Sequence, residues 1–588
     1  MASSTANGEG PTTRTKLHGR AFYESIGSPK FVVAPMVDQS EFAWRMLTRS
    51  FLSPVENAKL LAYTPMFHAR LFEETPKYRD SHFEATQSLL SSSKTATPTP
   101  TPAPADSEQL PPPIPFLDGN PTFDRPLFVQ FCANDPEHLL GAAKLAAPYC
   151  DAVDLNLGCP QGIARRGHYG AFLQEDQELI YKLINTLHEN LPVPVTAKIR
   201  ILETKEDTLA YAKNVLAAGA SIITVHGRRR EQKGHLTGVA DWEYIRYLRE
   251  SLPKETVIFA NGNILQHGDL EQCLEATGAD AVMSAEGNLS DPAIFAQPPP
   301  LGQEGREYWR GKDGKGGYRI DAVFRRYMDI IHKHVLQQEP PTRRPLFVIG
   351  DDESWVAEAR AKEAEQDEEG PARKKRKKDG GGGGKNEKCT SPNLVAIRPH
   401  LFHLLRHFIA KHTDVRDALA RCHAGDVPAV EKILDMVELR IAEGLIEYER
   451  TGGKSIEEPE PAPKTGENKT PAERPSKLED AENTEYDPES SVATVKKCKR
   501  PWWIAQPIVR PLPKEALANG SISLSKKEKK KQELAALAAA EEGANGTSKE
   551  GGQAVEAELP KTDSVDGVRE PTLDAKRPTL ATDELVCG

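Results

Sequence analysis

Eight cysteines are spread over 588 residues without a single C-x-x-C pair, which leaves neither a zinc-binding spacing nor a disulfide framework, so no metal is expected. No apolar run is long enough to span a bilayer and no signal-peptide pattern opens the chain, so no membrane is expected, and a reducing compartment, cytoplasmic and/or nuclear, is. No G-x-G-x-x-G opens a βαβ unit, which argues against a fixed Rossmann nicotinamide site; a nicotinamide reductant, if used, must come and go. Positive charge is also short: the net charge is −10. That weighs against a uniformly basic nucleic-acid binder, although acidic tails dilute the sum and local patches decide.

What the chain does have is a count of eight. Short, continuously apolar runs recur at Phe31–Met36, Leu60–Met66, Leu127–Cys132, Ala152–Leu157, Val195–Ile201, Ile222–Gly227, Val257–Gly262 and Ala281–Ala285. Unbroken hydrophobicity marks strands buried on both faces, and helical stretches such as Glu41–Leu52, Asp207–Ala218 and Asp241–Ser251 supply the cover. The pattern predicts an α/β fold, a (β/α)8 TIM barrel, over residues 21–300.

In such a barrel the chemistry gathers at the carboxyl ends of the strands. There the sequence places Pro35-Met36-Val37-Asp38, Gln130, Asn156 with Cys159, Lys198 with Arg200, His226-Gly227-Arg228, Asn261-Gly262-Asn263 and Ser284-Ala285-Glu286-Gly287. The turns after strands seven and eight contain glycine and suit a phosphate-bearing cofactor. Lys198 and His226 suit the anionic ring of a reduced flavin, and the Gln130 amide suits its pyrimidine edge. Cys159 follows an apolar strand in the glycine-opened loop Asn156-Leu157-Gly158-Cys159-Pro160. A thiol is mostly protonated at neutral pH and can serve as an acid.

Seven motifs in this order resemble the flavin-dependent tRNA-dihydrouridine synthase family, within it most closely the eukaryotic enzymes that act on D-loop uridines 16 and 17. They are Val33-Ala34-Pro35-Met36-Val37-Asp38, Leu127-Phe128-Val129-Gln130-Phe131, Asp154-Leu155-Asn156-Leu157-Gly158-Cys159-Pro160-Gln161, Ala197-Lys198-Ile199-Arg200, Thr224-Val225-His226-Gly227-Arg228, Asn261-Gly262-Asn263-Ile264 and Ala281-Val282-Met283-Ser284-Ala285-Glu286-Gly287-Asn288. The resemblance implies FMN held by Pro35, Met36, Val37, Gln130, Lys198, His226, Asn261, Gly262, Asn263 and the turn at Ala285-Glu286, with NADPH or NADH as transient reductant and tRNA as partner. It also implies Cys159 as proton donor. One departure is that many bacterial relatives have Gly-Arg where Ala285-Glu286 stands here, so that turn lacks a side-chain cation.

The implied chemistry follows from uracil, whose C5–C6 double bond is conjugated to a carbonyl. Hydride is expected at C6 from the flavin and a proton at C5 from Cys159 on the opposite face. Asn156 is expected to hold the uracil edge, and Arg200 or Arg228 to stabilise charge on the carbonyl oxygen. A stacked uridine must be flipped out to arrive, with Arg165, Arg166 and His168 as candidate phosphate contacts. Two alternatives remain open: a flavin barrel acting on a free small molecule such as a dihydropyrimidine or enone, and a non-enzymatic RNA-binding scaffold.

Outside the barrel, residues 1–20 and the Ser/Thr/Pro-rich insertion 91–115 read as loose. Residues 301–450 read as a helical, tRNA-binding domain with Arg325, Arg326, Arg398, His407 and Lys411 among its candidate cations. It is interrupted over 355–392 by an insertion carrying the basic run 373–378 and five glycines from Gly380, a nuclear import signal or RNA arm if not simply solvated. Residues 451–588 read as a largely disordered tail, except for an aromatic, basic segment at 496–511 around Pro501-Trp502-Trp503 and a basic cluster at 526–531. The segment either touches RNA or folds back on the body. A monomer is expected.

Overall fold

The computed structural model describes residues 16–87, 114–368, 389–457 and 490–518. All eight apolar runs form strands: β1 (Phe31–Val33), β2 (Leu60–Tyr63), β3 (Leu127–Cys132), β4 (Ala152–Leu157), β5 (Val195–Arg200), β6 (Ile222–His226), β7 (Val257–Asn261) and β8 (Ala281–Ser284). Each pairs in parallel with the next, and β8 returns to β1 through Val33 opposite Ser284, so the sheet closes into the expected barrel. Strands β1 and β2 stop short of their apolar runs. Pro35 and Pro65 supply no N–H to a ladder, and after Pro65 the chain adds only a two-residue strand, Phe67–His68, beside Phe131 and Cys132.

Helices Phe42–Arg49, Lys205–Ala217 and Trp242–Ser251 lie where the periodicity placed them. The last two begin on side-chain caps, Thr204 accepting from Asp207 N–H and Asp241 from Glu243 N–H, which satisfies donors the helix leaves over. At the amino ends of the strands, helix Gly19–Ser25 packs Phe22 on Phe128 and Tyr23 on Phe259. Arg20 pairs with Asp280 at 2.6 Å. The loose N-terminus expected through residue 20 therefore needs correction from residue 16 onward.

Beyond the barrel, a hairpin (Tyr308–Arg310 with Gly316–Tyr318) leads into helices Ile320–Ile330, Pro392–Leu404, Arg406–Lys411, Thr413–Arg421 and Val427–Arg450. The long last helix buries Val430, Ile433, Leu434, Val437, Ile441 and Leu445, a stripe of three- and four-residue steps. The start of the expected 355–392 insertion is corrected as well: Ser354–Glu368 is a helix docked on the long one. Its charges carry it, since Glu363 accepts from Arg440 at 3.0 Å and Arg360 pairs with Glu443, contacts that no local sequence pattern pairs. The basic run 373–378, the glycines from Gly380, most of the insertion 91–115 and the cluster 526–531 lie outside the described residues.

The helical part meets the barrel through buried polar groups. His400 stacks on Trp44 at 3.9 Å and its Nε2 lies 2.9 Å from Glu41 Oε2. Asn393 accepts from Ala43 N–H at 2.8 Å and donates to Glu84 at 2.7 Å. The segment Ser490–Ala518 then folds back on the body. Ile320 N–H donates to Trp503 O, Ala505 N–H to Tyr318 O, and Trp503 is almost fully buried. Among the described residues no helix is long and apolar enough to cross a membrane.

Candidate active site

The rim residues fall into two clusters with a bridge between them. The first surrounds Cys159. Asn156, at the end of β4, turns its amide back on the loop: Oδ1 accepts from Gly158 N–H at 3.1 Å and Cys159 N–H at 2.9 Å, while Nδ2 donates to Gln130 Oε1 at 2.8 Å. Gln130 Nε2 in turn donates to Asp154 Oδ2 at 2.8 Å, and Thr196 donates to Asp154 Oδ1 at 2.6 Å. Burial pushes the Asp154 carboxyl up to about 6 against those hydrogen bonds. From β5, Arg200 Nε donates to Gly158 O at 2.6 Å.

The thiol itself is 1% exposed, in a pocket with Cys132, Ala164 and Tyr169, against Val37, Met66 and Phe172. These neighbours follow β1 and β2, end β3 or come from residues 162–173, so the sulfur sits at the mouth beneath a lid. The glycine-opened loop is held closed, by Asn156 below and by Gly170 above. Gly170 has φ +64°, and a Cβ there would come within 2.9 Å of Cys159 O. Arg165, Arg166 and His168 lie exposed on the lid.

The second cluster is cationic. Lys198, on β5, donates to Asn261 Oδ1 at 2.9 Å; Asn261 ends β7 opposite His226 of β6 and donates to Met283 O at 3.0 Å. Arg228 reaches Nη2 to Asn263 Oδ1 at 2.9 Å, Nε to Gly238 O at 3.2 Å and Nη1 to His226 Nε2 at 3.1 Å. A guanidinium only donates, so His226 Nε2 accepts and its proton sits on Nδ1. That Nδ1 is buried without a partner among the described residues. Burial first, and then the charges of Arg200, Lys198 and Arg228, hold His226 well below its usual range, so the ring is neutral near pH 7.

A cavity of about 650 Å³ opens beyond this cluster at the ends of β6, β7 and β8, lined by Arg228, Asn263, Ala285, Glu286 and Gly287 together with tail residues including Arg510. Its volume lies in the range of about 300–1,000 Å³ usual for small-molecule and cofactor sites. Gly262, at φ +116°, is required where its backbone presses His226 and Ala240: a Cβ would lie 2.6 Å from Ala240 Cβ. Among the described residues no group of three or more His, Cys, Asp or Glu side chains is arranged to hold a metal.

Of the residues singled out in the sequence, Asn156, Gln130, Arg200 and Cys159 form the thiol cluster, and Lys198, His226, Arg228, Asn261, Gly262 and Asn263 form the cationic one. Met36 and Pro35 are buried behind Val37, which touches the thiol pocket. Ala285 and Glu286 line the cavity, apart from Cys159. Sequence reasoning missed Asp154 and Thr196, whose only signal was polarity inside apolar strands. It also missed the lid residues Tyr169 and Phe172 and the tail's part in lining the cavity. Two candidate RNA cations prove to be engaged internally, Arg325 with Glu438 and Arg326 with Glu307.

Residues 32–307 match the family described as dihydrouridine synthase. The chain is 44% identical over 409 residues to the tRNA-dihydrouridine(16/17) synthase (NAD(P)+) of Saccharomyces cerevisiae, covering 70% of this chain and 73% of the relative. It is 41% identical over 429 residues to the Schizosaccharomyces pombe protein of the same name, covering 73% and 82%. It is 32% identical over 268 residues to the tRNA-dihydrouridine(20a/20b) synthase-like protein of Homo sapiens, covering 45% and 70%. A closed eight-stranded barrel with a lidded thiol on one side of its mouth and a cationic cluster on the other, joined to this extent of identity, makes the chain a member of the dihydrouridine synthase family.

Proposed function

We propose that this protein reduces uridine to 5,6-dihydrouridine in tRNA, at D-loop positions 16 and 17, with NAD(P)H as reductant and FMN as resident cofactor. The observation that carries the reading is the arrangement of the mouth. The Cys159 pocket lies over β1–β4 and the cavity over β6–β8, with Lys198, Arg200 and His226 between, so a planar base can have an acid on one face and a flavin on the other.

The residues fit FMN. The orphan Nδ1 donor of His226 and the Lys198 ammonium suit an electron-rich pyrimidine edge, and the cavity rimmed by Arg228 suits a phosphate. FMN, when bound, supplies hydride for C6 of the uracil. The protein's own part is the rest. Cys159 keeps its proton until C5 becomes basic and delivers it there. Asn156 and Arg200, both bonded to the Gly158-Cys159 backbone, hold that thiol in place. Arg228 remains the candidate for charge on the uracil carbonyl oxygen.

The closed lid supports a sequence in which the flipped uridine displaces Tyr169 and Phe172 from above Cys159. The helices Pro392–Arg450 are assigned to tRNA docking. NADPH or NADH arriving and leaving at the same mouth agrees with a sequence in which no G-x-G-x-x-G opens a βαβ unit.

The test is to incubate the protein with FMN, NADPH or NADH and unmodified tRNA, and to map dihydrouridine by position. Cys159→Ala should bind flavin and consume nicotinamide as before while losing most tRNA reduction. Loss of flavin binding to the same degree would make the residue structural. Equal activity on free uridine would move the substrate to the small-molecule class.

A further inference from the structure

The turn after β8 presents a carboxylate, Glu286, at the rim of the cavity assigned to the cofactor phosphate. Alone it would repel a phosphate monoester. Among the described residues Glu286 is paired with Arg510, more than two hundred residues later in the chain, whose Nη2 forms an ion pair with Glu286 Oε1. The other carboxylates around this cavity have their own work: Asp241 accepts from Glu243 N–H, Asp269 accepts from Leu265 and Gln266 N–H and pairs with Lys497 at 3.4 Å, and Glu243 pairs with Lys205 at 3.0 Å.

Arg510 is delivered by a well-anchored strap. Trp502 packs over Gly444 of the long helix, where a Cβ would come within 2.5 Å of its ring, and lies 5.4 Å from the Phe408 ring. Trp503 is buried against Trp309 and Tyr448. Pro507 O contacts His407 Nε2 at 3.2 Å. Seven residues on from Trp503, the chain reaches the mouth with a guanidinium that has five donors, of which the Glu286 pair uses one. Across the cavity stands the half-buried Arg228, which desolvation, together with the charges of Arg200 and Arg510, pulls down to about 10 against the help of Glu286. Two guanidiniums face one carboxylate, an arrangement that a dianion completes.

We propose that Arg510, carried in by the C-terminal segment Ser490–Ala518, is a cofactor-binding residue that grips the phosphate of the flavin and sets the preference for FMN over riboflavin. The cation that the β8 turn lacks in its own sequence is thus supplied from the far end of the chain. The inference rests on the FMN reading above. It adds that the tail belongs to the cofactor site, so that the helical part, the strap and the cofactor are tied together at one point.

The experiment uses the full chain, stripped of flavin, and titrates FMN and riboflavin separately by flavin fluorescence into wild type, Arg510→Gln and Arg510→Lys. Loss of a charge-assisted hydrogen bond to the phosphate predicts about 10- to 100-fold weaker FMN binding in Arg510→Gln. Riboflavin affinity should stay within twofold. Arg510→Lys should recover most of the loss, and the salt dependence of FMN binding should be shallower in Arg510→Gln than in wild type. The melting temperature of the flavin-free proteins should not change. FMN affinity within threefold of wild type in both variants overturns the proposal, as does an equal loss of both flavins. Wild type binding neither flavin would instead overturn the FMN reading itself.

Discussion

Asn156→Ala tests whether the thiol loop is held closed from beneath. The side chain makes three buried hydrogen bonds, to Gly158 N–H at 3.1 Å, Cys159 N–H at 2.9 Å and Gln130 Oε1 at 2.8 Å. Truncation leaves two amide donors and one carbonyl oxygen without their partner. A net hydrogen bond contributes about 1 kcal/mol and a buried group left unpaired costs about 1–3 kcal/mol. Water can enter the space the amide leaves, so about 2–3 kcal/mol is the reasonable loss to the closed loop. At about 1.4 kcal/mol per decade, the open fraction rises roughly 30- to 140-fold. The assay is the rate of Cys159 alkylation by iodoacetamide, read by peptide mass spectrometry, with Cys273, buried on a barrel helix outside the thiol pocket, as internal control. Alkylation of Cys159 should rise by that factor and tRNA turnover should fall by a similar one, while FMN affinity stays within threefold. Asn156→Asp, which keeps the acceptor, should recover part of the closure. An unchanged alkylation rate, or a loss of FMN affinity as large as the loss of turnover, would refute the positioning role and return Asn156 to the ligands.

Other residues give independent checks. The half-buried Glu84 carboxyl is pushed up to about 7 by desolvation and by Asp118. Its native value is above the unfolded one of about 4.3, so the proton is held more tightly when folded, and about 3 kcal/mol of stability present at low pH is lost as pH rises through 7. Glu84→Gln should therefore melt above wild type at pH 8.5, with the gap closing at pH 5; a gap independent of pH would refute this. Asp124, buried, accepts from Arg45 Nε at 3.0 Å and Gly119 N–H at 2.8 Å. Asp124→Ala leaves a wholly buried guanidinium with Asp118 and should cost about 3–5 kcal/mol in urea unfolding; a loss under about 1 kcal/mol would contradict the geometry. Gly444→Ala drives a methyl group against Trp502, an overpacking of about 1–3 kcal/mol, and should raise hydrogen exchange at Trp503 and Ala505; unchanged exchange would mean that the strap is not anchored there.

The barrel was legible because its signal is local and repeated. Eight continuous apolar runs admit few other folds, and the residues just after them carried the chemistry. Asn156 shows where that legibility ends. Its place at the strand end was readable, but whether its amide faces a ligand or its own loop depends on Gly158 and Gln130, brought near by strand pairing. Ser354–Glu368 was hidden for a related reason. It read as loop, because Arg440, which pairs with its Glu363, comes from a helix more than seventy residues away. Trp502 and Trp503 marked their segment as unlike the rest of the tail, yet the partners that decide its fate, Gly444, Trp309 and Tyr448, share no pattern with it in sequence.

The turn after β8 shows how these distant parts meet. Glu286 is held by Arg510 of the strap, and Asn288, two residues on, accepts from Trp44 Nε1 at 2.9 Å and donates to Thr48 Oγ1 at 3.0 Å. Trp44 is the ring on which His400 of the helical part stacks. Gly287 between them admits no side chain, since a Cβ would lie 2.2 Å from Ile264 O. Three successive residues are thus fixed by the tail, by the loop after β7 and by the first barrel helix that carries the helical part. A displacement of either appended element has to be felt at the rim of the cavity, because close-packed neighbours leave this turn no slack to absorb it.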